Sequence, residues 1–166
     1  RVWRHIGSTC LKSEITMSTF NRLLLRRLHR VAGMVALGFI ASFWLATVIV
    51  ELRGNIGEIT LVKTAIAWGL IGLIPVLMAT GGSGFALSGG SPSGILKTKL
   101  RRMQVIAANG ILVLAPSAIT LAVLAQQGRF DSLFVGVQVL ELLAGLINIC
   151  LIGLNIRDGL ALARST

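Results

Sequence analysis

Of the six carboxylates in this chain, Glu141 alone falls deep inside an apolar run, the one covering about 133–156. At about 1.5 Å per helical residue it lies roughly 12 Å below the end marked by Leu133. A charge at that depth in hydrocarbon is costly, so it marks either function or buried pairing. Gln138, Glu141, Gly145, Asn148, Ile152 and Asn155 recur at spacings of three and four, which places them on one helix face. That stripe must face protein or water. It would suit a proton relay, an ion path, or a pocket for a quinone or lipid headgroup. It would equally suit interhelical hydrogen bonds, worth about 0.6–2 kcal/mol each.

The preceding apolar run supplies partners: Gln104, Asn109, Ser117 and Thr120. Pro116 removes one helical hydrogen bond there, which predicts a kink and a freed Leu112 carbonyl. If the two runs are antiparallel, Ser117 and Thr120 reach the depth of Glu141, and Asn109 approaches Asn148. Lys63 enters another run from the same end as Glu141. Its long stem allows it to snorkel to the interface, and its charge allows it to pair with Glu141.

Other chemistries find few ligands. A bis-histidine haem needs two imidazoles within the bundle, whereas the chain holds only His5 and His29. His29 falls level with Met103, so a His/Met haem site is the one such arrangement left open, and an interfacial His near a headgroup or quinone is the plainer expectation. Cys10 and Cys150 have no C-x-x-C neighbour, which argues against zinc, iron–sulfur or disulfide roles. No Ser/His/Asp or Cys/His set is visible and no catalytic residue is assigned. An autonomous enzyme is not expected, and no cofactor beyond a bound lipid or quinone is implied.

The elements that must hold these residues follow from composition. The chain of 166 residues is 54% hydrophobic and 13% charged, with a mean hydropathy of +0.83. Soluble domains carry about 25% charged residues, so the chain belongs in a bilayer. Runs long enough to cross lie at about 31–50, 59–80, 103–125 and 133–156. They are continuous rather than alternating, hence helices and not barrel strands. The expected fold is all-α, a polytopic four-helix transmembrane bundle. It is preceded by a basic segment, 1–30, and followed by a short tail, 157–166.

Thirteen of the sixteen Lys and Arg fall on the side shared by the termini and the central loop, which predicts cytoplasmic termini. The net charge of +10 is then an orientation signal, and nucleic acid is not an expected partner. Arg26, Arg27, Arg30, Lys97, Lys99, Arg101 and Arg102 are expected to contact anionic phospholipid headgroups. Residues 22–30 suit a short interfacial helix continuing into the first span. Met17 is a natural initiator, and the expectation for residues 1–16 is an extension, a processed remnant or an alternative start. A cleavable signal peptide is disfavoured. The connection at 81–94 has six glycines in fourteen residues, reads as a flexible or tightly turned connector, and matches no phosphate-binding motif. Gly38/Ser42/Ala46 and Ala65/Gly69 form small-xxx-small arrays, expected with Gly145 to pack helices together. Trp44 and Trp68 are expected to face lipid or another subunit.

Leu28-His-Arg, Gly81-Gly-Ser-Gly-Phe, Lys99-Leu-Arg-Arg-Met, Phe130-Asp and Leu154-Asn-Ile-Arg-Asp-Gly together resemble uncharacterised four-span bacterial inner-membrane proteins over about residues 28–160. The resemblance implies a bacterial inner membrane, cytoplasmic or intracytoplasmic, and four spans, and transfers no site. The leading expectation is an accessory or assembly subunit of a larger membrane complex, of respiratory or photosynthetic electron transfer, acting by helix packing and lipid contact with other membrane subunits. The alternative is a small transporter, ion path or quinone-binding protein working through Glu141.

Overall fold

The computed structural model describes residues 2–87 and 95–164, with side chains over 21–87 and 97–160. Helix α1 runs Val2–Arg53, α2 Ile56–Leu87, α3 Ile95–Asn109, α4 Ala115–Gln126 and α5 Ser132–Arg164, with a π-helical turn Gly110–Leu114 joining α3 to α4. No strand occurs among the described residues. Four helical stretches are long and apolar enough to cross a membrane: Asn21–Arg53, Ile56–Leu87, Lys97–Gln126 and Ser132–Leu160. The third is the composite of α3, the π turn and α4.

Local chemistry sets the two tight connections. After α1, Gly54 takes φ +67°, a conformation that favours glycine, and the Asn55 Oδ1 accepts the Gly57 and Glu58 amides to start α2. After α4, Gly128 (φ +68°) closes a Schellman motif in which the Arg129 amide returns to the Leu124 carbonyl. Asp131 then caps α5 by accepting the Leu133 and Phe134 amides. These connections define the hairpin end of the bundle. The opposite end, rich in Arg and Lys, is the basic end.

The helices form a ring: α1 packs on α2, α2 on α4, the α3–α4 span on α5, and α5 back on α1. The backbones of α2 and α5, across one diagonal, do not touch. Two apolar clusters fill the interior. Val50, Ile59, Leu121, Leu124, Ala125 and Phe134 form the one at the hairpin end. Ala36, Ile40, Leu73, Ile106 and Ile152 form the one toward the basic end.

Residues 22–30 continue without a break into the first span, as expected. Two other features differ from the sequence reading. Helix α2 continues past Thr80 through the first glycines to Leu87, so only residues 88–94 of the glycine-rich connection lie outside the described residues. Gly84 is seated there against His29 and Met103, which a larger residue would displace. The third span absorbs its proline by a π turn, with the Ala115 amide reaching back to the Gly110 carbonyl and Pro116 starting α4. Π turns of this kind recur at functional sites.

Candidate functional site

Lys63 and Glu141 meet across the α2/α5 diagonal. The Lys63 Nζ donates to Glu141 Oε2 at 2.6 Å and to Thr47 Oγ1 at 3.3 Å. The lysine side chain is 0% exposed and that of Glu141 12%, so the ammonium does not snorkel. Its stem spans the space between helices whose backbones stand apart, and the carboxylate on the far side holds its head. Ser117, on α4, is also buried.

Glu51, one turn beyond Thr47 on α1, lies within electrostatic reach of both Lys63 and Glu141. Its Oε1 is buried without a hydrogen-bond partner. Gln138 lies one turn toward the hairpin end from Glu141 on the same face of α5. It is 5% exposed, and neither amide atom has a partner among the described residues. Unpartnered buried polar atoms are uncommon, and each needs a physical reason.

On the basic-end side of the pair lies a cavity of about 60 Å³, lined by Trp44, Thr47, Leu114, Glu141, Leu142 and Gly145 among others. It occupies the gap between Glu141 and the next polar group down α5, Asn148, about 10 Å away along the helix. Its walls are mostly apolar, Ile40, Phe43, Ile66 and Leu73 among them, with Thr47 and Glu141 contributing polar side chains.

Asn148, 1% exposed, is the next buried polar residue along α5. Asn109 donates to Asn148 Oδ1 at 2.9 Å and to the Ala144 carbonyl at 2.9 Å, while Asn148 donates to the Ile106 carbonyl at 3.4 Å. Further along, Asn155 donates to the Lys99 carbonyl at 3.5 Å, and Arg102 pairs with Asp158 at 2.7 Å. Gln138, Glu141, Gly145, Asn148, Ile152 and Asn155 thus all face the interior.

Other expected site residues fall elsewhere. Thr120 is exposed, because the register that buries Ser117, Ala118 and Leu121 turns it outward. Gly38 and Ser42 face out of the bundle as well. The buried face of α1 is instead Ala32, Ala36, Ile40, Thr47 and Val50, and position 38 lies about 200° around the helix from 36. Ala65 is exposed, whereas Gly69 packs tightly under the Phe43 ring and Gly145 under Trp44. Trp44 points inward, its indole N–H donating to the Leu142 carbonyl at 3.0 Å, so the bundle itself holds it. Trp68 does face outward, 70% exposed.

At the basic end Arg26, Arg27, Arg30, Lys97 and Arg101 are exposed. Arg102 pairs with Asp158, and Lys99 lies within electrostatic reach of that carboxylate beside Gly159; both are half-buried. His29 packs against α2: its Nδ1 lies 3.0 Å from the Thr80 carbonyl and 3.2 Å from Ser83 Oγ. A carbonyl only accepts, so Nδ1 carries a proton. Met103 meets His29 over Gly84. Cys150 is exposed and unpaired, and the side chains of His5 and Cys10 lie outside those described.

Sequence reasoning placed Glu141 and its stripe but gave no role to Glu51 or Thr47. Glu51 stands near the end of its span, where a carboxylate is unremarkable. The signal available was its spacing of four from Thr47 on one helix face. Comparison with protein families, curated proteins and solved structures finds no match to this chain.

Proposed function

We propose that this chain is a multi-pass membrane protein that passes protons, or an ion coupled to them, along the polar face of α5, with Lys63 and Glu141 as the central station. The observation that carries this reading is the buried 2.6 Å ion pair bordering a cavity. Mutual attraction must offset the desolvation of two charges there, and such pairs are often replaceable by apolar residues without loss of stability. Shifting one proton along that hydrogen bond turns ammonium and carboxylate into amine and carboxylic acid, with no net change of charge. Glu51 connects the pair toward the hairpin end, and the cavity leads toward Asn148, Asn155 and Asp158. The charge asymmetry supports cytoplasmic termini, and the resemblance to four-span bacterial proteins supports the inner membrane.

The test is reconstitution in liposomes with an imposed pH gradient and an internal pH-sensitive dye. The purified chain should dissipate the gradient, and Glu141→Gln should abolish that flux while leaving the helical content unchanged. Equal flux through both proteins would sink the proposal.

One observation favours the second reading, an accessory subunit of a larger membrane complex. Gly38 and Ser42 form a small-residue face that the bundle leaves outward, next to exposed Leu45, where another transmembrane helix can approach closely. Native extraction in mild detergent should then yield a defined complex that Gly38→Leu disrupts. A 17.6 kDa species alone would count against it.

A further inference from the structure

The polar centre is one positive charge short. At the hairpin end three cations each hold a carboxylate: Arg53 with Glu58, Lys63 with Glu141, and Arg129 with Asp131. Glu51 is left over. Among the described residues it has no ion pair and no side-chain hydrogen bond, and its buried Oε1 lacks a donor. With Glu51 ionised, two carboxylates against one ammonium give the centre a net charge of −1, and the Glu51 Oε1 is shielded from water although the side chain is half-exposed. Gln138 supplies a second buried oxygen without a partner, on the face of α5 that carries Glu141. Glu141, bonded through Oε2 to Lys63, stands one turn from Gln138 on that face.

From these groups we propose that the centre binds one monovalent metal cation, sodium or potassium, between Glu51, Gln138 and Glu141. The proposal rests on the ion-handling reading above and names its substrate class. The cation supplies the missing charge and accepts lone pairs from Glu51 Oε1 and Gln138 Oε1. Its retained water accepts the Gln138 amide hydrogen. A net charge of −1 matches a monovalent ion, and the Lys63 ammonium repels a second positive charge, so a divalent ion is disfavoured. Entry is from the hairpin end, where Glu51 is half-exposed above the fully buried Lys63.

The probe is the ion itself. Purified protein in detergent is titrated with NaCl or KCl against choline chloride at constant ionic strength. Thermal unfolding is followed by tryptophan fluorescence, to which Trp44 beside the cavity contributes, and equilibrium binding is measured with radioactive sodium. The expected result is a midpoint raised by about 2–4 °C in sodium or potassium over choline, with one ion bound. Glu51→Gln should weaken binding at least about tenfold. Gln138→Leu, which needs no charge change and keeps the helix, should weaken it too and guards against a misfolded Glu51 variant. Equal midpoints in sodium, potassium and choline with no bound ion overturn the inference. If Glu141-dependent proton flux persists in that case, the ion-handling reading stands with protons alone. If flux is also absent, both fall. Binding that survives both substitutions overturns the site while leaving the flux reading intact.

Discussion

The two polar contacts that close this bundle's interior differ in one respect. Toward the basic end, Asn109 and Asn148 bridge neutral amides, and their donors reach the Ala144 and Ile106 carbonyls. Toward the hairpin end, Lys63 and Glu141 bring full charges together beside a cavity, with Gln138 and a Glu51 oxygen left unpartnered. A neutral bridge holds two helices without asking for anything further. A charged centre with unmet acceptors requires more than packing explains, and therefore it, rather than the asparagine bridge, is the better candidate for chemistry.

The largest effect expected is at the charged pair. Lys63→Met strands Glu141 in the interior and should cost about 3–5 kcal/mol, read as a shift in chemical unfolding followed by circular dichroism in detergent. The double substitution Lys63→Met/Glu141→Leu should recover most of that stability while flux stays lost. A double variant no more stable than the single would show that the pair's worth is structural.

Next comes the asparagine bridge. Asn148→Leu leaves Asn109 without its side-chain partner and should cost about 1–3 kcal/mol, with proton flux retained. Loss of flux equal to that of Glu141→Gln would erase the distinction drawn between the two regions.

Glycines sharpen the comparison between inward and outward faces. Gly69→Ala drives a methyl into the Phe43 ring and should cost about 1–3 kcal/mol. Gly38→Ala meets nothing within 4 Å and should be neutral, or stabilising by up to about 1 kcal/mol. Thermal midpoints of the two variants decide it, and equal shifts would contradict the packing of α1 described above.

The smallest effect is outside the spans. The Arg129 side chain, hydrogen-bonded to Asp131 at 2.8 Å, and the Phe134 amide hold the Asp131 carboxyl below its ordinary value of 3.8. A lowered value means that the ionised form favours the folded state. The contribution is therefore complete above the ordinary carboxylate range and disappears as pH falls through the lowered value. Wild type and Asp131→Asn should differ slightly in thermal midpoint at pH 6 and converge in strong acid; divergence on acidification would reverse the sign.

Much of this was legible in the residues. Four apolar stretches, the buried face of α5 and the opposition of Asn109 to Asn148 follow from hydrophobic length and a 3.6-residue period, which depend on local sequence alone. The span ends were less legible, since glycine's penalty within α2 is offset by His29 and Met103 packing onto Gly84, a contact 55 residues distant from His29 in sequence. The small-residue arrays misled about the bundle's own packing, because Gly38 and Ser42 have the spacing of a packing face while the bundle leaves them outward. Rotation of a helix about its own axis is set by its neighbours.

Sequence by itself therefore determined that Glu141 stands in an apolar helix among polar neighbours, and that Lys63 approaches from the same end. Tertiary structure alone decided that the two join across a diagonal whose backbones never touch. It also left Glu51 as the unmatched charge and turned Trp44 inward. The reason is physical: periodicity fixes which residues share a face, whereas the partner a face meets depends on the ring order of all four helices.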